Sequence, residues 1–586
     1  MCSYAGDARI RKVKGYRSKS FPPDRLFPLF KKSVISYYER VSKGKKGGLM
    51  MEKAGRGKEK SLSGVSRRDV LKIMGAGAIY TFLPSERRGE SSEGFSPSGG
   101  EGLIFVVGDG MPLGVIKGMH QVRTRVHGEK GTNFYSKLKD VHSNVGYMST
   151  ESLSSIVTDS APASVAWSTG TKTSNRVLAS LPDGRPLKTI MELAKEQGYA
   201  CGLVTTTRVT HATPAAWVSH QLQRDNEDDI AMDYLKFKPE VLLGGGSRFF
   251  DPSRRKDGND LFKAFSDGGY DVVRERVNLL STETLSSSKP LLGVFSSSHM
   301  SYYLDRLNQP ELGKRQPALP EMTKIALQKL SSNPKGFILQ VEAGRIDHAN
   351  HSNDAWAAIL DTYELDLTLA VIDEFLKVNP KTLVIVTSDH GNAGWGINGT
   401  GPEYNDSTEA LKKYQPIKAS FEVIKTRLKR DGTRAEIRDI FEHFTTYRIT
   451  GEEASMIQAA MQPDYKPFHG DYLIQPDAMM GMILAHSTYP KMKGVSVEGP
   501  SLVRRGNVGF TSTNHTGEDQ ILLSYGYKAK QLGLQRHVDN TYLFSAMCEF
   551  FGIKYKNPTM TEEEAKPFIK TASLEEWKRH MELHIA

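Results

Sequence analysis

Short, continuous apolar runs alternate along this chain with helix-like stretches, and that alternation restricts the available folds more than any other feature. L-I-F-V-V at 103, A-C-G-L-V at 200, E-V-L-L-G-G-G at 240, G-F-I-L-Q-V at 336, T-L-V-I-V-T at 382 and Q-I-L-L-S-Y at 520 read as strands. K-T-I-M-E-L-A-K-E-Q-G at 188 and E-M-T-K-I-A-L-Q-K-L at 321 carry helical spacing between them. Strands that are apolar throughout must be covered on both sides. The pattern therefore predicts an α/β fold, a central, mostly parallel sheet with helices on both faces. Functional groups of such sheets gather beyond the carboxyl ends of the strands.

The alternation breaks between 397 and 500, where a turn-rich start, charged helical patterns such as F-E-V-I-K-T-R-L-K-R and an irregular stretch rich in Met, Pro and Tyr follow one another. That region reads as an insertion hung on the sheet. With 586 residues, the chain has room for a large core beside it.

The formal charge of +11 is uneven: residues 1 to 90 hold 22 Lys/Arg against 8 Asp/Glu, and the other 496 hold 56 against 59. A basic excess confined to a leader argues against nucleic-acid binding by the main body. S-R-R-D-V-L-K-I-M-G-A-G-A-I-Y-T-F-L, residues 66 to 83, sets the pair Arg67 and Arg68 before a short apolar run, and resembles a twin-arginine export signal. More residues precede the pair than such a signal needs, so translation is expected to start at Met50 or Met51, with residues 1 to 49 an upstream over-extension. The polar linker at 91 to 102 would follow the signal. Of Cys2, Cys201 and Cys548, only two would remain in a mature chain, too few for a disulfide framework. No further run approaches the roughly 18 apolar residues of a membrane span, so the mature chain is expected to have none.

The strand ends carry the chemistry. Asp109 follows the first strand between Gly108 and Gly110, and Asp389 and His390 follow another. V-E-A-G-R-I-D-H-A-N-H places Glu342 at a strand end, and Asp347 and His351 at i and i+4 on one face of a starting helix turn. His515 precedes the last apolar strand. Singly, such residues are ordinary caps and hydrogen-bonding histidines. Together, four carboxylates at one sheet edge would repel each other unless cations were present; mixed Asp and His donors suit zinc, and oxygen-only sets suit magnesium. Ser160, in I-V-T-D-S-A-P-A-S-V-A-W-S-T-G-T-K-T, begins an apolar helix pattern, where the helix dipole favours an anion; Asp159 or Ser160 could equally be a simple cap.

These motifs, with H-A-T-P-A-A-W-V-S-H and N-H-T-G-E-D, strongly resemble the alkaline phosphatase family from about residue 103 to 520. The resemblance implies hydrolysis of phosphate monoesters by a serine nucleophile, Ser160, through a phosphoserine. It implies one zinc held by Asp347, His351 and His515, and a second held by Asp109, Asp389 and His390. A third ion, usually magnesium, would be held by Asp109, Thr213 and Glu342, with zinc or cobalt as alternatives. Arg224, eleven positions after Thr213, would clamp phosphate oxygens. Zinc coordination would activate the serine hydroxyl and stabilise the leaving oxygen. Three divalent ions and Arg224, against four carboxylates and a serine alkoxide, leave about +2, suited to a phosphomonoester dianion.

His211 and His348 stand where family members differ, and are expected to hydrogen-bond beside the third metal and the phosphate rather than bind metal. The implied organisation is export signal and linker over 50–102, catalytic core over 103–396, a crown-like insertion over 397–500, and core plus C-terminal helices over 501–586. The resemblance also suggests a homodimer, exported by the twin-arginine machinery to a periplasmic, surface or extracellular location. Diesterases, sulfatases and phosphoglycerate mutases share the two-metal core. Thr213 and Glu342 argue against them, and the C/S-x-P-x-R pattern of a sulfatase is absent around Ser160. An inactive metal-binding scaffold is disfavoured by the retained Ser160 and Arg224.

Overall fold

Each strand predicted from the sequence is a strand in the computed structural model, which describes residues 95–462, 475–484 and 506–585. The leader with Arg67 and Arg68, and most of the second half of the 397–500 region, lie outside the described residues. By contacts the chain divides into Met1–Leu83 and Pro84–Ala586, and every described residue belongs to the second unit.

In chain order, the strands of the main sheet are β1 (Glu101–Gly108), β2 (Asn144–Ser149), β3 (Ala200–Arg208), β4 (Val241–Gly245), β5 (Asp271–Val273), β6 (Leu291–Val294), β7 (Gly336–Ala343) and β8 (Thr382–Thr387). After two short pairs described below come β13 (Gln520–Gly526) and β14 (His537–Asp539). The spatial order is β14-β2-β13-β8-β1-β7-β3-β4-β6-β5. β13 runs antiparallel to both its neighbours, while β1, β7, β8, β3 and β4 pair in parallel.

Alternate residues of the central strands enter two separate cores. Ile104 and Val106 of β1 and Val384 and Val386 of β8 pack into one; Leu103, Phe105, Val107, Leu383 and Ile385 pack into the other, with Trp167 and Trp217. Burial on both faces explains why the sequence shows unbroken apolar runs instead of alternation.

Four helices matter for the site: α1 (Ser160–Thr169), α2 (Arg345–His351), α3 (Ala355–Val378) and α4 (Leu574–Ile585). α1 is buried along its whole length, capped by Asp159 and terminated by Gly170 in the left-handed region at φ 73°. Of the short pairs, β9 (Gly391–Asn392) joins β12 (His515–Thr516), and β10 (Gly396–Ile397) joins β11 (Val508–Gly509). The chain thus leaves the sheet near 397 and returns beside its point of departure. The described part of that excursion is helical, including Phe421–Arg427, Arg434–Thr445 and Gly451–Ala460. Among the described residues, no helix is long and apolar enough to cross a membrane.

Candidate active site

Three adjacent parallel strands deliver the carboxylates. Val107 of β1 lies opposite Glu342 of β7 and Thr387 of β8, so Asp109, Glu342 and Asp389 emerge together at the carboxyl edge. The turn after β1 needs Gly110: its φ is +52°, and a Cβ there would stand 2.3 Å from Asp347 Oδ1. Its N–H donates to Asp389 Oδ1 at 2.9 Å. His390 N–H donates to the same oxygen at 3.0 Å, so the other Asp389 oxygen faces the His390 ring, 3.1 Å from Nε2. His390 Nε2 is also 3.6 Å from Asp109 Oδ1 and 3.2 Å from Ser160 Oγ. Asp109, Asp389, His390 and Ser160 therefore form one buried group at the start of α1.

A second group surrounds Asp347 on α2. His351 Nε2 is 3.3 Å from Asp347 Oδ2, His515 Nε2 is 3.6 Å from Oδ1, and the two Nε2 atoms are 3.1 Å apart. The β9–β12 pairing carries His515 here, and Asn392 of β9 donates to Asp347 Oδ1 at 2.6 Å. A third group joins Asp109, Glu342 and His211, with Thr213 Oγ1 donating to Asp109 Oδ2 at 3.3 Å.

Backbone carbonyls fix the tautomers of three imidazoles. Nδ1–H of His351 donates to Thr513 O at 2.6 Å, that of His515 to Thr158 O at 3.0 Å, and that of His390 to Gly391 O at 3.2 Å. Each ring thereby turns an Nε2 lone pair toward the carboxylates, as a metal ligand must.

The residues fit divalent ions. Asp109 Oδ1 and Glu342 Oε1 are buried without a hydrogen-bond partner. Burial pushes Asp109 well above the usual carboxylate range, with Asp389, Asp347 and Glu342 adding to the shift. Burial likewise pushes Glu342 up to about 7, against a hydrogen bond from Thr205. Burial holds His515 and His211 well below the ordinary imidazole value, with His390 and Arg224 respectively adding to the effect. Carboxylates crowded this closely need cations to become a stable arrangement.

Arg224 lies beside these groups, with Nη1 3.4 Å from Asp159 Oδ1 and Nη2 donating to His211 Nε2 at 2.8 Å. His348 Nδ1 accepts from Arg345 Nη1 at 2.8 Å, which puts the ring proton on Nε2, buried without a partner. Arg345 also pairs with Glu422 of the helical excursion. The cleft onto this edge, about 1300 Å³, is lined by Asp159, Arg176, Arg224, His351 and His515.

The residues singled out for the catalytic and metal-binding site, Ser160 and Arg224 with the carboxylates, histidines and Thr213, thus meet at one sheet edge. Sequence reasoning missed Asn392, Arg345, His299 and, above all, His584. His584 lies on α4 with Nε2 3.1 Å from Asp347 Oδ2 and Nδ1 3.2 Å from Arg224 Nη2. The pair His580 and His584, one helical turn apart near the end of the chain, was the signal available.

Buried carboxylates and imidazoles converging beside a serine at the carboxyl edge of a parallel sheet are the makings of a metal-dependent α/β enzyme. A family model described as Alkaline phosphatase matches residues 101–553. Alkaline phosphatase 4 of Bacillus subtilis (strain 168) is 32% identical over 448 residues, covering 75% of this chain and 86% of its own length. The crystal structure of Thermus thermophilus alkaline phosphatase is 37% identical with a TM-score of 0.72, covering 83% of this chain and 99% of that one. A cold-active alkaline phosphatase of a psychrophilic Shewanella species is 27% identical with a TM-score of 0.60, covering 77% and 99%. The chain belongs to the alkaline phosphatase family.

Proposed function

We propose that this enzyme hydrolyses phosphate monoesters through a covalent phosphoserine at Ser160. The observation that carries the proposal is the placement of Ser160 Oγ at the first residue of α1, 3.2 Å from His390 Nε2 within the Asp109/Asp389 group. Ser160 Oγ attacks phosphorus, the ester oxygen departs as the alcohol, and water then cleaves the phosphoserine to inorganic phosphate and free serine. The positive end of the α1 dipole faces the phosphoryl group. Arg224, steadied by Asp159, offers a planar pair of donors to the remaining oxygens. His348 Nε2–H is a further buried donor, free for the phosphate side.

Asp347, His351 and His515 would hold one zinc, and Asp109, Asp389 and His390 a second. Asp109, Thr213 and Glu342 would hold magnesium, or zinc or cobalt in its place. When bound, the ions supply Lewis-acid activation of the serine and stabilisation of the leaving oxygen. His211 stays outside the third set, because its Nε2 lone pair is taken by Arg224. The basic leader supports export of the chain by a twin-arginine route to a periplasmic, surface or extracellular location. The β10–β11 pairing supports 397–500 as an insertion on the core, and the family suggests a homodimer.

The test is hydrolysis of a chromogenic phosphomonoester and the matching diester by the purified mature chain, with metal analysis and a Ser160→Ala control. Monoester turnover should exceed diester turnover and fall by about 10⁴-fold or more in Ser160→Ala. Undiminished turnover by that variant would exclude the covalent route, and faster diester turnover would move the assignment to the related diesterases.

A further inference from the structure

We propose that His584, carried by the last helix of the chain, is a fourth and exchangeable ligand of the metal held by Asp347, His351 and His515, displaced when phosphate enters. The inference rests on assigning those three residues to a metal. Its geometry is direct: one donor atom each from Asp347, His351, His515 and His584 lie within 4.8 Å of one another. Nε2 of His584 stands 3.1 Å from Asp347 Oδ2. Without an ion, that nitrogen donates its proton to the carboxylate. With an ion between them, the proton belongs on Nδ1, which lies 3.0 Å from His211 Nε2. The backbone is held too, since His299 Nε2 donates to His584 O at 2.9 Å.

Zinc with four protein ligands is a closed, structural type of site, whereas hydrolytic zinc keeps one position open. With His584 bound, no position remains for the leaving oxygen. His584 also stands 3.2 Å from Arg224 Nη2, in the space that the guanidinium must offer to phosphate. His584 and phosphate therefore exclude each other, and turnover requires α4 to withdraw.

The docking of α4 suits such an exchange. Its polar ties to the core include His580 Nδ1 to Asp225 Oδ1 at 3.1 Å, and Trp577 remains exposed on its outer side. Local opening of one helix costs less than unfolding the core strands.

Cobalt-substituted holoenzyme, free of phosphate, provides the test through hyperfine-shifted imidazole N–H resonances in proton NMR. Wild type should show one resonance more than His584→Ala, and inorganic phosphate should remove that resonance. Chelation should also release zinc at least about tenfold faster from His584→Ala, as loss of even supporting partners has that effect. The same set of resonances in both proteins, with the His351 and His515 signals present, would overturn the role of His584 alone. Absence of all shifted imidazole signals would instead overturn the metal assignment beneath it. Because the His351 and His515 signals report an intact site, a misfolded variant is recognised at once, and His584→Gln then repeats the comparison.

Discussion

Gly110 is tightly confined in the site. It takes a positive φ immediately after β1 and lets Asp347 pass where a Cβ would clash. Gly110→Ala should push Asp347 off its position, with loss of bound metal and a fall in kcat/KM of about 100-fold or more, since displacements near 1 Å have that effect. Metal analysis beside kinetics checks it, and a variant with full metal content and unchanged kcat/KM would contradict it. The metal-type donors were legible because most are local to a strand end: Asp109, Asp389 and His390 sit in the turns themselves, and Asp347 and His351 share one helical turn. His584 was not, because 237 positions separate it from Asp347 and no strand introduces it. Arg345 was hidden differently, since an arginine beside a strand end gives no sign that it will orient His348 and pair with Glu422.

At the scale of elements, the junction between α2 and α3 connects the site to the rest of the fold. Asp354 caps α3 by accepting from Ala357 N at 3.1 Å, and accepts from Phe421 N of the helical excursion at 2.8 Å. Burial outweighs those donors and pushes its carboxyl up to about 7. Between the ordinary value of 3.8 and about 7, the native state keeps a proton that the unfolded chain has released. The contribution to stability is therefore full at low pH and lost as pH rises through that window, on the order of 4 kcal/mol. Unfolding of wild type and Asp354→Asn, followed across that range with zinc in excess, should give a difference that declines with pH in wild type's disfavour. A difference independent of pH would contradict it. Elements with both faces buried, such as β1, β7 and β8, were legible as apolar runs. β2 was not, because only alternate residues of N-V-G-Y-M-S are buried, and β5 and β14 are three residues long. Their pairing is fixed by neighbours distant in sequence rather than by local pattern.

For the whole molecule, the sheet acts as a collector. Its parallel centre brings strand ends from the first and middle thirds of the chain to one edge, and two short strand pairs return His515 to it after the helical excursion. The fold class and the gathering edge followed from the alternation of elements alone. Position across the sheet did not, because strand order depends on crossovers that leave no mark in composition. All of this machinery converges on one hydroxyl, so the most direct measurement is where phosphate is found during turnover. Brief reaction of the metal-loaded enzyme with a phosphomonoester, an acid quench and peptide mass spectrometry should place a phosphoryl group on Ser160. Turnover without a covalent adduct, or an adduct on any other residue, would contradict the account.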